Sequence, residues 1–369
     1  MKSVGIICEY NPFHNGHIYH INKVKELYPN NLIILVLSGN FTQRGEVSLI
    51  DKWKKTEIAL NYVDLVIELP FVFASQSADL FAKGAIDLLR ALKVEAVIFG
   101  SENNDVNMLK EFSLIQKTEN YNKLVQKYLD DGFNYPTSLS MALKDISGNL
   151  VETPNDLLGL SYVKELDGSN ITPITIKRTN DYLDKSLSNE ISSATSIREA
   201  LKNGKDINKY VPKESLKYLD NVHFTDDYFD LLKYKIISED LSRYQTVDEG
   251  IENRLKKVIN EVNSLDELID KVKTKRYTYN RIKRMFIHIL TGFTKDEAKN
   301  IKTKYIRVLG FNNNGQKYLN SIKKSCGLPI ITKFIKNNDL LNIEARVSSV
   351  YNLIKKDDNL CEHEHAPIH

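Results

Sequence analysis

The sequence predicts an α/β protein in two parts. A parallel-sheet domain over residues 1–205, with a helical insertion at about 105–167, precedes a mainly α-helical, basic domain over 206–369. Three observations carry this. Short Val/Ile-rich runs alternate with amphipathic stretches through the first two hundred residues, the pattern of strand–helix–strand units with right-handed crossovers. Beyond about residue 205 the apolar spacing becomes helical almost throughout. The charge changes sign as well. Residues 1–200 hold 20 Lys+Arg against 25 Asp+Glu, a net of −5, whereas 271–350 hold 18 against 4, a net of +14.

The runs VGIIC (4–8), LIILVLS (32–38), DLVIEL (64–69), AVIFG (96–100) and ITPITI (171–176) are short, continuous and β-branched, as buried strands require. Between them HIYHINKVKELY, DKWKKTEIALNY and SADLFAKGAIDLLRALK read as helices; in the last, Leu80, Ala85, Leu88 and Leu89 recur at helical spacing. After residue 205 come VPKESLKYLD, DDYFDLLKYKIISEDL, VDEGIENRLKKVINEV and YNRIKRMFIHILTGF, then one strand-like run, KYIRVLGF (304–311), and more helix. In YNRIKRMFIHIL the periodicity turns Ile282, Phe286 and Ile289 inward.

Composition excludes several classes. With 42% hydrophobic and 27% charged residues in 369, the chain has the balance of a folded, cored protein rather than a disordered one. No apolar run reaches the ~18 residues that cross a bilayer. The segment MKSVGIICEYNPFHNGH lacks a long apolar core and a small-residue cleavage site, which makes the cytoplasm the expected compartment. Cys8, Cys326 and Cys361 are odd in number and far apart, unlike a disulfide framework or a paired-cysteine zinc site. The tail CEHEHAPIH reads as flexible terminal histidines, and no metal site is expected. The concentrated positive charge, interleaved with Tyr and Asn, suits a nucleic-acid face.

Ligands of parallel sheets bind beyond the carboxyl ends of the strands, so motifs placed there carry the functional weight. EYNPFHNGHIYH (9–20) follows the first strand directly and contains His14-Asn15-Gly16-His17 at a strand-to-helix turn. His14 and His17, three apart, face one point, and the helix start adds unpaired N–H groups suited to a nucleotide's phosphates. ISSATSIREAL (191–201) gathers Ser192, Ser193, Thr195 and Ser196 before a helix and places Arg198 in it. One such residue would suffice as an N-cap. The group together, with Arg198 bidentate, can hold β- and γ-phosphate oxygens.

These two motifs resemble the HIGH-superfamily nucleotidylyltransferases, which pair an HxGH turn with an ISxTxxR segment to transfer AMP. A closer match is carried by EYNPFHNGH, SGNFTQRGE (38–46), DKWKKTEIAL (51–60), DLVIELPF (64–71), FGSE (99–102), PNDLLGLSYVKEL (154–166), TKRYTYNRIKRM (274–285) and YIRVLGFN (305–312). With these the chain resembles the tRNA(Met) cytidine acetate ligase family. The resemblance implies a Rossmann-like nucleotidyltransferase domain that activates acetate with ATP as acetyl-adenylate. A tRNA-binding domain then presents the wobble cytidine of elongator methionine tRNA, giving N(4)-acetylcytidine, AMP and pyrophosphate. It also implies an ATP site made of Ile7, Cys8, Glu9, Tyr10, Asn11, Pro12, Phe13, His14, Asn15, Gly16, His17, Ile18, Tyr19 and His20, with Gly100, Asn155, Arg178, Thr195, Ser196 and Arg198.

In that chemistry His14, His17 and Arg198 are the catalytic candidates, stabilising negative charge on phosphates, while Ser196 and Arg198 hold the leaving pyrophosphate. Gly100 would leave room for the nucleotide, and Asn155 either contacts it or caps the helix after Pro154. Asn40, Gln43 and Arg44 either line the acetate or cytidine pocket or form a plain polar loop. Lys275, Arg276, Tyr279, Arg281, Lys283 and Arg284 are candidates for tRNA, combining charge with aromatic faces. They are read as distant from the histidine turn. Mg²⁺ is expected to accompany ATP without a carboxylate cage of its own. No protein partner and no membrane contact are implied. A small-molecule adenylyltransferase of the same superfamily, or a non-catalytic RNA-binding protein, are the alternatives; the first leaves the basic half idle.

Overall fold

The computed structural model describes residues 1–149, 151–178, 191–299, 301–355 and 362–369. Its centre is a seven-stranded sheet of β1 (Ser3–Cys8), β2 (Leu32–Ser38), β3 (Leu65–Leu69), β4 (Ala96–Ser101), β5 (Thr172–Lys177), β6 (Ile306–Phe311) and β7 (Ile330–Ile331), in the order β5-β4-β1-β2-β3-β6-β7. The first five strands pair in parallel, and β1 registers Ser3 on Leu32 and Val4 on Ala96. All of β2 is buried, as expected of a strand covered by helices on both faces. The chain runs outward from β1 to β2 and β3 on one side and to β4 and β5 on the other. The order therefore reverses beside β1, where an open parallel sheet leaves a crevice for a ligand.

Residues 105–167 form four helices, Val106–Ile115, Glu119–Asp130, Tyr135–Ser147 and Pro154–Leu166, and the chain then re-enters the sheet at β5. Between residues 229 and 289 a separate apolar core gathers, including Leu232, Ile236, Leu255, Leu268, Ile282 and Phe286. Beyond it the chain returns to the sheet. β6 lies antiparallel to β3, and β7 pairs in parallel with β6. β7 is a strand that the sequence pattern does not show, because two residues are too short for any period to register.

The C-terminal tail is not a flexible run of histidines. Ile368 accepts from the Phe311 N–H and donates to the Leu309 carbonyl, both at 2.9 Å, and the His365 ring stacks on Trp53 with centroids 3.9 Å apart. Glu362 is buried between Lys52 at 2.6 Å and Arg307 at 2.5 Å, and both cations also pair with Glu68 of β3. Apolar stacking and a buried charge seat therefore fix the tail. Cys361 lies outside the described residues. No helix among them is long and apolar enough to cross a membrane.

Candidate active site

A cavity of about 950 Å³ opens where the sheet order reverses. One wall is the turn after β1. Glu9 and Tyr10 leave the strand, and His14 caps the helix Asn15–Leu27 with its ring: Nδ1 accepts the Gly16 N–H at 3.0 Å. Only glycine permits this, because a Cβ at position 16 would sit 2.8 Å from the His14 ring. His17 answers by accepting the His14 N–H on its own Nδ1 at 3.2 Å, which leaves the ring centroids 3.9 Å apart. Both Nδ1 lone pairs are thereby occupied. A neutral imidazole must then carry its proton on Nε2, so each ring offers the cavity an N–H donor.

Neutrality follows from burial. Burial, then Arg178 and Arg198, pushes His14 down to about 3; burial beside His14 and Arg178 holds His17 well below the usual histidine range. His20, one turn further, is pushed down to about 4 by burial and Arg178. These rings are therefore uncharged donors in the free protein, and anionic oxygens docked against them would raise their basicity.

The second wall is the helix Ala194–Lys202. Its N-cap Ser193 accepts the Ser196 N–H at 3.1 Å, and the two hydroxyl oxygens lie 2.6 Å apart. Ser196 is 1% exposed and does not line the cavity, nor does Thr195, whose hydroxyl accepts from Arg198 at 3.4 Å. In this structure Ser192, Ser193 and Arg198 face the cavity from this segment instead. Arg198 also stitches the two motifs together, donating to the Asn11 carbonyl at 2.8 Å and pairing with Glu46 at 2.9 Å.

Glu46 is the residue that sequence reasoning passed over. It stands in SGNFTQRGE and bridges Arg198 to Lys283, 2.7 Å away on the basic helix Tyr279–Thr291. Burial would raise its carboxyl, but Arg198 and Lys283 override that and hold it at about 2. The neighbouring Gly45 has φ +74°, and a Cβ there would lie 2.3 Å from the Arg284 nitrogen, so the loop rests directly on the basic helix. As a result Arg276, Arg281 and Arg284 line the same cavity as His14 and His17. The expected separation between the basic segment and the histidine turn is thus corrected. Arg284, pushed down to about 10 by burial and the repulsion of Arg281 and Arg44, stays charged at neutral pH.

Other candidates divide. Ile7, Cys8, Glu9, Tyr10, Asn11, Gly16, Tyr19 and His20 border the cavity. Pro12, Phe13, Asn15 and Ile18 do not: Phe13 is core, and Asn15 donates to the Lys209 carbonyl at 2.8 Å. Asn155 is not the helix cap, a position held by Thr153; it donates to Glu102 at 2.5 Å and borders the cavity. Gly100 borders the cavity, and a Cβ there would meet the Arg178 side chain at 3.3 Å. Gln43 and Arg44 face the cavity, whereas Asn40 is buried, accepting the Lys52 N–H at 2.9 Å. Of the remaining basic-segment candidates, Lys275, Tyr279 and Lys283 stand off the cavity, and the Tyr279 ring lies under the Lys283 ammonium at 5.2 Å.

A family model described as HIGH Nucleotidyl Transferase matches residues 1–365. The tRNA(Met) cytidine acetate ligase of Geobacillus sp. (strain WCH70) is 42% identical over 95% of this chain and 94% of its own. That of Caldicellulosiruptor saccharolyticus is 41% identical over 97% and 95%. Among solved structures, Thermotoga maritima TmcAL in its apo form superposes with a TM-score of 0.92 at 31% identity, covering 100% of this chain and 99% of that one. The same protein bound with alpha-thio ATP superposes at 0.89 with the same coverage.

Proposed function

The chain belongs to the tRNA(Met) cytidine acetate ligase family, and from that premise we propose that it activates acetate with ATP and acetylates the wobble cytidine of elongator methionine tRNA. In the first step an acetate oxygen attacks the α-phosphorus and pyrophosphate leaves, forming acetyl-adenylate. In the second the exocyclic amine of the cytidine takes the acetyl group and AMP leaves.

One observation carries the reading: the histidine turn, Arg198 and the arginines of the basic segment wall a single cavity. Phosphoryl transfer asks the protein for in-line positioning and charge neutralisation, not for a covalent nucleophile. The Nε2–H donors of His14 and His17 meet developing charge on the phosphates, and Arg178 and Arg198 neutralise it. Arg198 reaches phosphate by exchanging Glu46 for it, while Lys283 keeps Glu46 paired. Ser193 stands where Ser192 and Arg198 also face the cavity and assists at the leaving pyrophosphate. Arg276, Arg281 and Arg284 hold the anticodon backbone at the rim, so that an unstacked base enters the cavity. Residues 1–205 thus supply the activating chemistry and 206–369 the RNA contacts. Mg²⁺ would arrive on the phosphate oxygens of ATP; among the described residues no three His, Cys, Asp or Glu converge on a point. The cytoplasm, where tRNA and ATP meet, is the compartment.

The test is direct. The purified protein is incubated with labelled acetate, ATP and total tRNA, and the nucleosides are analysed. Label in N(4)-acetylcytidine, dependent on ATP, supports the proposal; pyrophosphate release that ignores acetate and needs a small phosphorylated compound would replace it with a small-molecule adenylyltransferase.

A further inference from the structure

The second step leaves a proton on the attacking amine, and something in the cavity has to accept it. Most titratable groups that line the cavity are already committed. Glu46 is clamped by Arg198 at 2.9 Å and Lys283 at 2.7 Å. Asp79 sits at the rim with its side chain 42% exposed, accepting the Ser161 hydroxyl at 3.3 Å. His14 and His17 have spent their Nδ1 lone pairs on backbone N–H groups and present donors. Burial pushes the Cys8 thiol up to about 12 and the Tyr10 and Tyr162 hydroxyls well above their ordinary value, so none of these is a base near neutral pH.

Glu9 is different. It is the first residue beyond β1, where the sheet order reverses, five positions before His14 on the same turn, and it lines the cavity. The Gln43 N–H donates to Oε1 at 2.6 Å and fixes the carboxylate. No hydrogen bond to Oε2 occurs among the described residues. We propose that Glu9 is a catalytic residue of the acetyl-transfer step, its second oxygen, Oε2, accepting the proton of the cytidine amine. The inference rests on the function proposed above.

The step balances without another reactant. The amine nitrogen bonds to the acetyl carbon, the bond from that carbon to the adenylate oxygen breaks, AMP departs with the electron pair, and the proton passes to Glu9. The same carboxylate selects the base. It accepts from the amino group of cytosine and repels the carbonyl oxygen that uracil carries at that position. The surroundings are consistent: burial raises the carboxyl of Glu9, against the lowering by the Gln43 N–H, Arg44 and Lys55, and Glu46 adds to the rise. A base tuned upward from the ordinary carboxylate range takes a proton more readily. The rival is His20, which also lines the cavity with its Nε2 buried and without a partner among the described residues; burial beside Arg178 makes it a poor base.

The experiment separates the two half-reactions in Glu9→Gln, Glu9→Asp and His20→Gln. Acetate-dependent ATP–pyrophosphate exchange reports adenylation and folding together; single-turnover acetylation of tRNA reports transfer. For Glu9→Gln, transfer should fall by roughly 10²–10⁴-fold, the usual contribution of a general base, and by a much larger factor than exchange, which reads out any loss of ATP binding at this turn. Glu9→Asp should recover part of the transfer. The rise of the wild-type transfer rate with pH through the carboxyl titration should vanish in Glu9→Gln. Equal losses in exchange and transfer, normal transfer by Glu9→Gln, or a selective transfer defect in His20→Gln instead would each overturn the proposal. If the wild type made no N(4)-acetylcytidine, the function itself would fall first, a result distinct from all of these.

Discussion

Two clusters of charge in this protein use the same residue types for opposite ends. In the first, Lys52, Arg307, Glu68 and Glu362 have side chains between 0% and 4% exposed. In the second, Glu46, Arg198 and Lys283 are 15% to 19% exposed beside the cavity. The sealed cluster ties a helix, two strands and the C-terminal tail together, and no ligand can reach it. Its charges are balanced by one another and by neighbouring protein groups such as the Ser348 hydroxyl, which donates to Glu362 at 3.0 Å, and that makes it a fastener. The open cluster can trade partners, because an anion entering the cavity competes with Glu46 for Arg198. Access, more than charge, separates structure from chemistry here. Glu344 belongs to the sealed set: it accepts the Phe71 N–H, and burial together with Glu68 pushes it up to about 8.

The largest expected effect breaks the fastener. Lys52→Met leaves Glu68 and Glu362 short of a cation, and orphaning a buried charge costs about 3–5 kcal/mol. Urea denaturation should show a loss of that size; a variant as stable as the wild type would mean that the cluster contributes nothing the comparison assigns to it.

His17→Ala comes next and acts on the open side. Removing a donor to charge that develops in the transition state costs about 10²–10³ in rate, so pyrophosphate release should drop by that factor while tRNA binding changes little. A mutant that releases pyrophosphate normally would remove His17 from the chemistry.

Arg198→Ala should weaken ATP by roughly ten-fold or more, the worth of a charge-assisted contact, and AMP much less, because AMP lacks the β- and γ-phosphates. Calorimetry with both nucleotides decides the point. Equal losses would assign Arg198 to the Asn11 carbonyl alone, as an anchor of the turn.

The smallest effect is one of pH. Glu46 has its carboxyl held at about 2, below the ordinary value of 4.5, so in the folded state it binds its proton later than in the unfolded one. Its contribution to stability is complete above pH 4.5 and drains away as the pH falls toward 2. Glu46→Gln should therefore flatten the acid limb of the stability curve in that window and leave the sealed cluster untouched. An unchanged acid limb would deny that the open pairs carry any stability.

Much of this was legible in the sequence, for a physical reason in each case. Five parallel strands and β6 declared themselves through short runs rich in Val and Ile, and the histidine turn through residues contiguous in the chain. The Glu46–Lys283 bridge joins positions 237 apart, and no local pattern encodes such a pairing. Thr195 and Ser196 have the right chemistry for phosphate, yet helix geometry turns them toward their own cap and toward Arg198. Gly100 was expected to leave room for the nucleotide; it borders the cavity, with the Arg178 stem beside it. The tail misled because its composition is that of a solvated end, while the Trp53 face and the Lys52–Arg307 seat that hold it are formed only by the fold.

The central claim is that adenylation and acetyl transfer share one cavity, so that the activated acetate never leaves. Isotope trapping tests it most directly. The protein is loaded with labelled acetate and ATP, then mixed at once with tRNA and a large excess of unlabelled acetate. The label bound at mixing should appear in N(4)-acetylcytidine with its specific activity undiluted. If the label instead were diluted to that of the bulk acetate before reaching the tRNA, the intermediate would have exchanged with solution, and the single shared cavity would be contradicted.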